Sequence, residues 1–177
     1  MSQSTNILIT GRPGVGKTTV INKLAERLQE YHPQGFYTRE IREAGVRKGF
    51  TLIDLAGSQF VLAHVDYPRR WRVGKYGVDI ASFDRYLRAR DFRGSDSQLI
   101  IVDEIGKMEC FSDVFVQMIT GLLDSEKSII ATIAEKGGRS IQNIKSRRDI
   151  HLIDLTIDNR DSAAAAIADS ITRRRIR

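Results

Sequence analysis

The sequence predicts an α/β fold in which a mainly parallel β-sheet is flanked by helices. Short runs rich in β-branched residues alternate with segments whose apolar residues recur at helical spacing, an alternation typical of parallel sheets. A glycine-rich stretch at residues 11–19 separates the first apolar run from the first helical segment, and a later apolar run ends in an acidic pair, Asp103 and Glu104. Because the chain has neither an internal repeat nor a long linker, we expect a single domain over residues 1–177.

The first half of the chain begins with the run "NILIT" at residues 6–10, which predicts a buried strand. The apolar stripe that follows predicts a helix over about residues 17–30. The less regular region at residues 35–66 contains three β-rich segments, which predict an antiparallel hairpin or meander inserted after the first helix. Helical spacing returns at residues 82–90.

The second half of the chain alternates strands and helices more regularly. The predicted elements are a strand at 98–106, a helix at 114–123, a strand at 128–134, a short helix at 140–148 and a strand at 151–157. A final helix follows, capped by Asp158 or Asn159 and carrying apolar residues at 164–171. This order agrees with the α/β class.

Composition places the chain among globular proteins. Of its 177 residues, 41% are hydrophobic and 28% are charged, which suffices to bury a core without disulfide bonds. The single cysteine, Cys110, excludes an internal disulfide and fits a reducing compartment. No apolar run approaches the roughly 18–20 residues needed to span a bilayer, and the first residues lack the features of a signal peptide. We therefore expect a cytoplasmic protein with no membrane partner.

The net charge of +6 favours anionic ligands, and both nucleotides and nucleic acids are anions. Much of the excess lies in the arginine-rich end at residues 173–177. We interpret this end as the solvated terminus of the last helix, where cations suit the negative end of the helix dipole. The charge alone does not decide between partners.

Residues 11–18 match the phosphate-loop spacing Gly-x-x-x-x-Gly-Lys-[Ser/Thr]. Gly11, Gly14 and Gly16 allow backbone conformations that a Cβ would obstruct, so that backbone N–H groups wrap around phosphate oxygens at the helix N-terminus. Lys17 is expected to reach the β- and γ-phosphates, and the Thr18 hydroxyl to ligate Mg²⁺. The predicted phosphate-binding residues are Gly11, Arg12, Pro13, Gly14, Val15, Gly16, Lys17, Thr18 and Thr19.

The acidic pair predicts what surrounds the bound phosphate. Asp103 closes an apolar strand, which is the usual place for the carboxylate that orients the magnesium shell. Glu104 beside it is suited to accept a hydrogen bond from a water and align that water on the γ-phosphorus. The sequence therefore favours transfer of the phosphoryl group to water.

A guanine-nucleotide switch is the first alternative, because residues 103–106 fit the pattern Asp-x-x-Gly. No Asn-Lys-x-Asp follows to read guanine, which argues against it. The sequence leaves open which arginine faces the γ-phosphate. The candidates in predicted loops or at element ends are Arg39, Arg42, Arg47, Arg70, Arg72, Arg147, Arg148 and Arg160.

With both sites identified, the chain resembles the small nucleoside-triphosphatase family of thermophiles and animals, whose animal members are called cancer-related nucleoside-triphosphatases. The resemblance covers nearly the whole length, and "GFYT" together with "DEIGKME" makes it specific. The motifs that carry it, in order, are "GRPGVGKTT", "GFYTREIR", "GFTLIDLAG", "VGKYGVDI", "VDEIGKME", "NIKSRRDI" and "DNRD".

The resemblance implies a P-loop fold with a RecA-like sheet and an added antiparallel part. It also implies a nucleoside-triphosphate phosphatase that uses Mg²⁺ to hydrolyse ATP, GTP, CTP and UTP to diphosphates. Glu104 is then the water-orienting acid; we take Glu104 and Lys17 as catalytic, and Thr18 and Asp103 as metal ligands. The family motifs extend the expected nucleotide site to Ile101, Val102, Asp103, Glu104, Ile105, Gly106, Lys107, Met108, Asn159 and Arg160.

Two other classes remain as alternatives. A small P-loop kinase would use nearly the same parts with an acceptor hydroxyl in place of water and a lid that excludes water; the basic segment at residues 135–149 is the candidate lid. A nucleic-acid-binding module would use the positive charge, but we find no footprint of basic residues interleaved with aromatics suited to stacking on single strands. We therefore expect a monomeric hydrolase whose partners are nucleoside triphosphates, without nucleic acid.

Overall fold

The computed structural model describes residues 5–175, with side chains to residue 173. Residues 1–4 and 176–177 lie outside the described residues, and with them part of the arginine-rich end considered above. In the described part of the chain, no helix is long and apolar enough to cross a membrane.

The described residues form strands and helices in the predicted alternation. The strands are β1 Asn6–Thr10, β2 Gln34–Glu43, β3 Val46–Asp54, β4 Gln59–His64, β5 Arg72–Val73, β6 Tyr76–Val78, β7 Leu99–Ile105, β8 Ser128–Ile133 and β9 Ile150–Asp154. The helices are α1 Lys17–Arg27, α2 Ile80–Ala89, α3 Asp113–Leu123, α4 Arg139–Lys145 and α5 Arg160–Arg175, with 3₁₀ turns at Gln29–Tyr31 and Glu109–Phe111.

Over the described residues, the strands join into one nine-stranded sheet in the order β5-β6-β4-β3-β2-β7-β8-β1-β9. Strands β2, β7, β8, β1 and β9 are joined by parallel pairs. The pairs from β2 outward through β3, β4, β6 and β5 are antiparallel. The α/β fold and the antiparallel insertion after the first helix are therefore confirmed.

The helices cover both faces of the sheet. Ile7 and Ile9 of β1 pack in a cluster with apolar residues of α1 and α5. Leu8 between them packs in the other cluster, which contains residues of α2, α3 and α4. Because successive strand residues point to opposite faces, α1 and α5 lie on one face and the other three helices on the opposite face. Burial on both sides explains why the central strands are nearly all apolar.

Several boundaries differ from the sequence-based expectations; for example, the helix expected to reach residue 148 ends at Lys145. Two of the differences have a clear physical reason. The first helix ends at Arg27 and passes through the 3₁₀ turn to His32, whose φ is +47°. Pro33 follows, and the residue before a proline disfavours helix, so the helix cannot continue. The strand expected at residues 151–157 ends at Asp154, which pairs with Thr10, the last residue of β1. Beyond that pair the neighbouring strand gives way to the loop.

The parallel and antiparallel parts of the sheet meet where β2 pairs with β7. Gly35 lies opposite Ile101 at this seam, with a φ of +134°. A Cβ at Gly35 would approach the Ile101 carbonyl oxygen to 1.8 Å, well inside van der Waals contact. Glycine is therefore required here for the two backbones to pair.

A buried carboxylate anchors the antiparallel part. Asp54, only 4% exposed, ends β3 and accepts hydrogen bonds from the Tyr86 hydroxyl at 2.6 Å and from the Ala56 backbone N–H at 2.6 Å. The Arg90 guanidinium lies 3.2 Å from the same carboxylate. These partners compensate the desolvation of the charge and tie α2 to the meander.

Candidate active site

The glycine-rich loop connects β1 to α1 at the carboxyl edge of the parallel strands. Gly16 precedes the helix in a left-handed conformation with φ +113°, which favours a residue without a Cβ. Within the loop, the Val15 N–H donates to the Arg12 carbonyl at 3.2 Å. Arg12, Pro13 and Gly14 form the exposed tip, and Val15 through Thr18 are half-buried. Thr19, the third residue of α1, is exposed.

Lys17 turns back over this loop. Its Nζ donates to the Gly11 carbonyl at 2.9 Å and lies 3.4 Å from the Arg12 carbonyl. The ammonium group thus lies at the mouth of the loop, bonded to uncharged oxygens. These are weak competitors for an ammonium compared with an ionised phosphate.

Asp103 on β7 receives hydrogen bonds from two threonines. The Thr18 hydroxyl donates to Oδ2 at 2.7 Å, and the Thr132 hydroxyl on β8 donates to Oδ1. The Asp103 side chain is 1% exposed. Burial raises its pKa, whereas the two hydroxyls and the positive charge of Lys17 oppose that rise. The sequence-predicted metal pair, Thr18 and Asp103, is in direct contact.

Glu104 is half-buried beside Asp103, and the peptide bond between them is cis. Burial raises the pKa of Glu104, repulsion from Asp103 raises it further, and Lys17 lowers it. The structure therefore brings Lys17, Thr18, Asp103 and Glu104 together at one edge of the sheet, as the sequence predicted.

A third acid, Glu109, lies behind Glu104. A Cβ placed on Gly106 would lie 2.8 Å from Glu109 Oε2 and 3.3 Å from Glu104 Oε1, so both carboxyl groups border Gly106. Glu109 is 6% exposed. Burial raises its pKa to about 8, with repulsion from Glu104 and Asp103 adding to the rise and backbone N–H donors opposing it.

The remaining residues of the "IIVDEIGKM" segment have different surroundings. Lys107 is exposed. Ile101 packs into the core on the α1 face, whereas Val102 and Ile105 belong to the opposite core and Met108 packs against it. Their side chains hold β7 in place, and a direct part in nucleotide binding stays a prediction for them.

Asn159 and Arg160 lie in the segment that leads from β9 into α5. The Asn159 side chain closes this loop, because its Oδ1 accepts from the Thr156 N–H and its Nδ2 donates to the Asp154 carbonyl, both at 2.9 Å. A Cβ on Gly16 would lie 4.0 Å from Arg160 Cδ. Arg160 thus borders the phosphate loop on its β9 side.

The other candidate arginines contact groups outside the phosphate loop, although Arg39 directly follows Thr38, whose backbone bonds to Asp103. Arg42 and Arg47 pair with Glu40, and Arg147 bridges Asp124 and Asp149 at the amino edge of the parallel strands. Of the remaining four, Arg39 contacts Tyr37 and Arg70 lies over Trp71. Arg72 donates to the Gly74 carbonyl, and Arg148 borders a cleft beside Asn6 and Ile150.

Three residues near the site were missed by the sequence interpretation: Thr132, Glu109 and Lys145. Lys145, the last residue of α4, donates to the Thr10 hydroxyl at 3.2 Å, directly before the loop. Thr132 could have been predicted, because it lies near the end of an apolar strand that pairs in parallel with β7, at the position beside Asp103. The other two lie within the motifs "VDEIGKME" and "NIKSRRDI", but no spacing rule assigned either a role.

A glycine-rich loop before a helix, with its lysine facing two acids at the end of a nearby parallel strand, defines a P-loop nucleotide-binding protein. The sequence model of the NTPase family matches residues 6–168. The chain therefore belongs to the NTPase family.

Relatives and solved structures agree. The chain is 47% identical over 158 residues to nucleoside-triphosphatase THEP1 of Thermotoga petrophila, covering 88% of this chain and 87% of that protein. It is 37% identical over 172 residues to the human cancer-related nucleoside-triphosphatase, covering 88% and 90%. The crystal structure of THEP1 from Aquifex aeolicus superimposes with a TM-score of 0.82 at 34% identity, covering 92% of this chain and 96% of that one. The solution structure of the human protein gives 0.78 at 34% identity, covering 95% and 97%.

Proposed function

We propose that this protein hydrolyses nucleoside triphosphates to nucleoside diphosphate and phosphate, with little selectivity among bases. The observation that carries the proposal is the pair Asp103-Glu104 facing Lys17 across the glycine-rich loop. In the reaction, a bond forms between the water oxygen and the γ-phosphorus, and the bond from that phosphorus to the β–γ bridging oxygen breaks. The names of the relatives, which are nucleoside-triphosphatases, support this activity.

Lys17 and the loop hold the phosphates in this proposal. On binding, the Lys17 ammonium exchanges the carbonyls of Gly11 and Arg12 for β- and γ-phosphate oxygens. The start of α1 adds the positive end of its dipole. Both interactions strengthen as charge shifts toward the leaving diphosphate, so they stabilise the transition state.

Glu104 orients the attacking water. Its carboxylate follows the buried Asp103 and shares the edge of the sheet with Lys17, so a water bonded to Glu104 lies on the side where the γ-phosphate is held. Since the enzyme makes no covalent bond to the substrate, positioning and charge stabilisation account for most of the acceleration.

The residues present fit Mg²⁺, which prefers oxygen ligands. Thr18 donates its proton to Asp103, which leaves its lone pairs for a cation, and the buried Asp103 carboxylate gains from nearby positive charge. Among the described residues, no group of three or more His, Cys, Asp or Glu side chains forms a protein-only metal cage, as suits an ion that shares its ligands with phosphate and water. When bound, Mg²⁺ would neutralise phosphate charge.

The kinase alternative is not favoured. The basic segment considered as a lid folds as a loop followed by α4, and only part of it approaches the phosphate loop. Lys145 bonds to Thr10 directly before that loop, whereas Arg147 pairs with Asp124 and Asp149 at the amino edge of the parallel strands. Glu104 next to the proposed metal ligand also favours water as the acceptor. Cytoplasmic location, a monomeric state and the absence of a nucleic-acid partner stay predictions.

The test is phosphate release from ATP, GTP, CTP and UTP, each with Mg²⁺ and with EDTA. We expect release from all four that differs by less than about tenfold, because no base-reading motif is present, and we expect EDTA to abolish it. A parallel arm adds nucleoside monophosphates as acceptors. Two results would contradict the proposal: no phosphate release above the background without enzyme, or transfer to an acceptor without free phosphate.

A further inference from the structure

Lys145 reaches the phosphate loop from the face of the sheet opposite to Lys17. Ile141 and Ile144 of α4 pack in the core on the α2 and α3 side, whereas α1, which carries Lys17, covers the other face. The half-buried Lys145 side chain extends to the carboxyl edge, where Nζ donates to the Glu135 carbonyl at 2.9 Å and the Thr10 hydroxyl at 3.2 Å.

The two lysines form hydrogen bonds with consecutive residues of the chain. Lys145 is bonded to Thr10, the last residue of β1, and Lys17 is bonded to the carbonyl of the next residue, Gly11. Each ammonium group is held by uncharged oxygens. Within the described residues, neither has a carboxylate within 4.0 Å in an ion pair.

This arrangement concentrates positive charge without direct neutralisation. Burial has the largest effect on the pKa of Lys145 and lowers it; the charges of Glu135 and Asp154 raise it, and repulsion from Lys17 lowers it by a smaller amount. Two neighbouring cations repel each other, and an anion that contacts both relieves that repulsion. The chemistry of the pair is that of a site for a multiply charged anion such as a phosphate chain.

The order of strands indicates which phosphate lies there. Strand β8 separates β1, which leads into the loop, from β7, which carries Glu104. Lys145 lies at the ends of β1 and β8, through Thr10 and Glu135, and therefore on the side toward Glu104. Arg160, by contrast, follows β9 on the far side of β1. The γ-phosphate has to lie between the loop and the water-orienting acid, which is the side of Lys145.

We propose that Lys145 is a catalytic residue that binds the γ-phosphate together with Lys17. This inference rests on the proposed function. Lys145, from the same chain, would then be the positive side chain at the γ-phosphate, a role for which the sequence offered only arginines as candidates. On substrate binding, Lys145 exchanges Thr10 and Glu135 for γ-phosphate oxygens, and its charge stabilises the electron density that builds up on the transferring group.

The experiment compares Lys145→Met with Lys145→Arg and with Lys23→Met, which removes one charge from the exposed face of α1. Circular dichroism and thermal unfolding first establish that all three are folded. Affinities for ADP and for the non-hydrolysable analogue AMPPNP are then measured by calorimetry with Mg²⁺, and kcat and KM by phosphate release from ATP.

For Lys145→Met we expect kcat to fall about 10-fold to 100-fold and the Kd of AMPPNP to rise at least about tenfold. The Kd of ADP should change by less than about threefold, because ADP lacks the phosphate that Lys145 contacts. Lys145→Arg should keep most of the affinity for AMPPNP, and Lys23→Met should match the wild type.

Two results would overturn the inference: an Lys145→Met variant equal to Lys23→Met in every measurement, or one that loses ADP and AMPPNP to the same degree. The latter would make Lys145 a support for the loop. If the wild type releases no phosphate, the proposed function fails separately, and the comparison of ADP with AMPPNP still decides for or against Lys145.

Discussion

Charged side chains have different partners in the parallel and antiparallel parts of the sheet. In the antiparallel part, Asp54 is neutralised by Arg90 and hydrogen-bonded by Tyr86, and Arg47 is paired with Glu40. In the parallel part, Lys17 and Lys145 hold neutral oxygens. At these groups, the antiparallel part neutralises charge within the chain, whereas the parallel part keeps two ammonium groups available beside the phosphate loop. Partly buried charge without a carboxylate partner favours a binding site.

The acids show the same contrast. Burial raises the pKa values of Glu104 and Glu109. Repulsion from Asp103 raises the pKa of Glu104 further, and repulsion from Glu104 and Asp103 does the same for Glu109. Asp54, by contrast, is buried among hydrogen-bond and ion-pair partners. If this comparison is correct, substitutions in the parallel part change catalysis and pH dependence, whereas those in the antiparallel part change stability alone.

The largest effect is expected for Glu104→Gln. The amide keeps the shape of the side chain but accepts a weaker hydrogen bond from the attacking water, so phosphate release should fall by about 100-fold or more. Affinity for AMPPNP should stay the same or increase, because a negative charge near the triphosphate is removed. The control is Glu26→Gln on the exposed side of α1. Undiminished phosphate release in Glu104→Gln would refute the assigned role.

The next effect concerns pH and stability at Glu109. Its pKa rises from an ordinary value of 4.5 to about 8 on folding, so the folded state binds more protons between these values. The free energy of unfolding should therefore fall as pH rises from about 4.5 to about 8, by an amount on the order of a few kcal/mol. Glu109→Gln has no such proton and should lose this part of the pH dependence.

The measurement is urea unfolding at intervals from pH 4.5 to 8.5 on the wild type, Glu109→Gln and Glu126→Gln, a substitution of an exposed carboxyl. The stability of Glu109→Gln relative to the wild type should increase with pH across this window and level off above it. Parallel curves for all three proteins would show that Glu109 does not change its protonation on folding.

The smallest effect is expected in the antiparallel part, for Tyr86→Phe. Removing the hydroxyl that donates to Asp54 takes a hydrogen bond from a buried carboxylate, which should lower the free energy of unfolding by about 1–3 kcal/mol. The kcat should remain within about twofold of wild type. Tyr37→Phe, at the partly exposed partner of Arg39, serves as the control for loss of a hydroxyl. A large drop in kcat without a change in stability would break the contrast between the two parts.

The sequence predicted the parallel part closely and the antiparallel part only in outline. The strand at residues 6–10 and the glycine-rich loop follow from local rules, namely an apolar run and a motif with fixed spacing. The contact between Thr18 and Asp103, 85 positions apart, was anticipated because the motif prescribes a shared role. In the meander, the short strands β5 and β6 had no local pattern long enough to set their bounds.

Glu109 and Lys145 lie within the motifs "VDEIGKME" and "NIKSRRDI", but the motifs assign them no role, because their roles depend on packing. Lys145 reaches Thr10 only because α4 lies on the face opposite α1 and its long side chain spans the edge. Glu109 returns to Glu104 only because the chain turns tightly at Gly106. Neither fact has a periodicity or a spacing in the sequence.

The close pairing of β2 and β7 at Gly35 predicts which phenotype a substitution at this position will have. A side chain there would push against the Ile101 carbonyl, and Asp103 follows two residues later on the same strand. Displacement of β7 would therefore reach the acidic pair through the backbone. In a catalogue of missense variants, position 35 would cluster with the active-site positions by phenotype, although by location it belongs to the start of a structural strand.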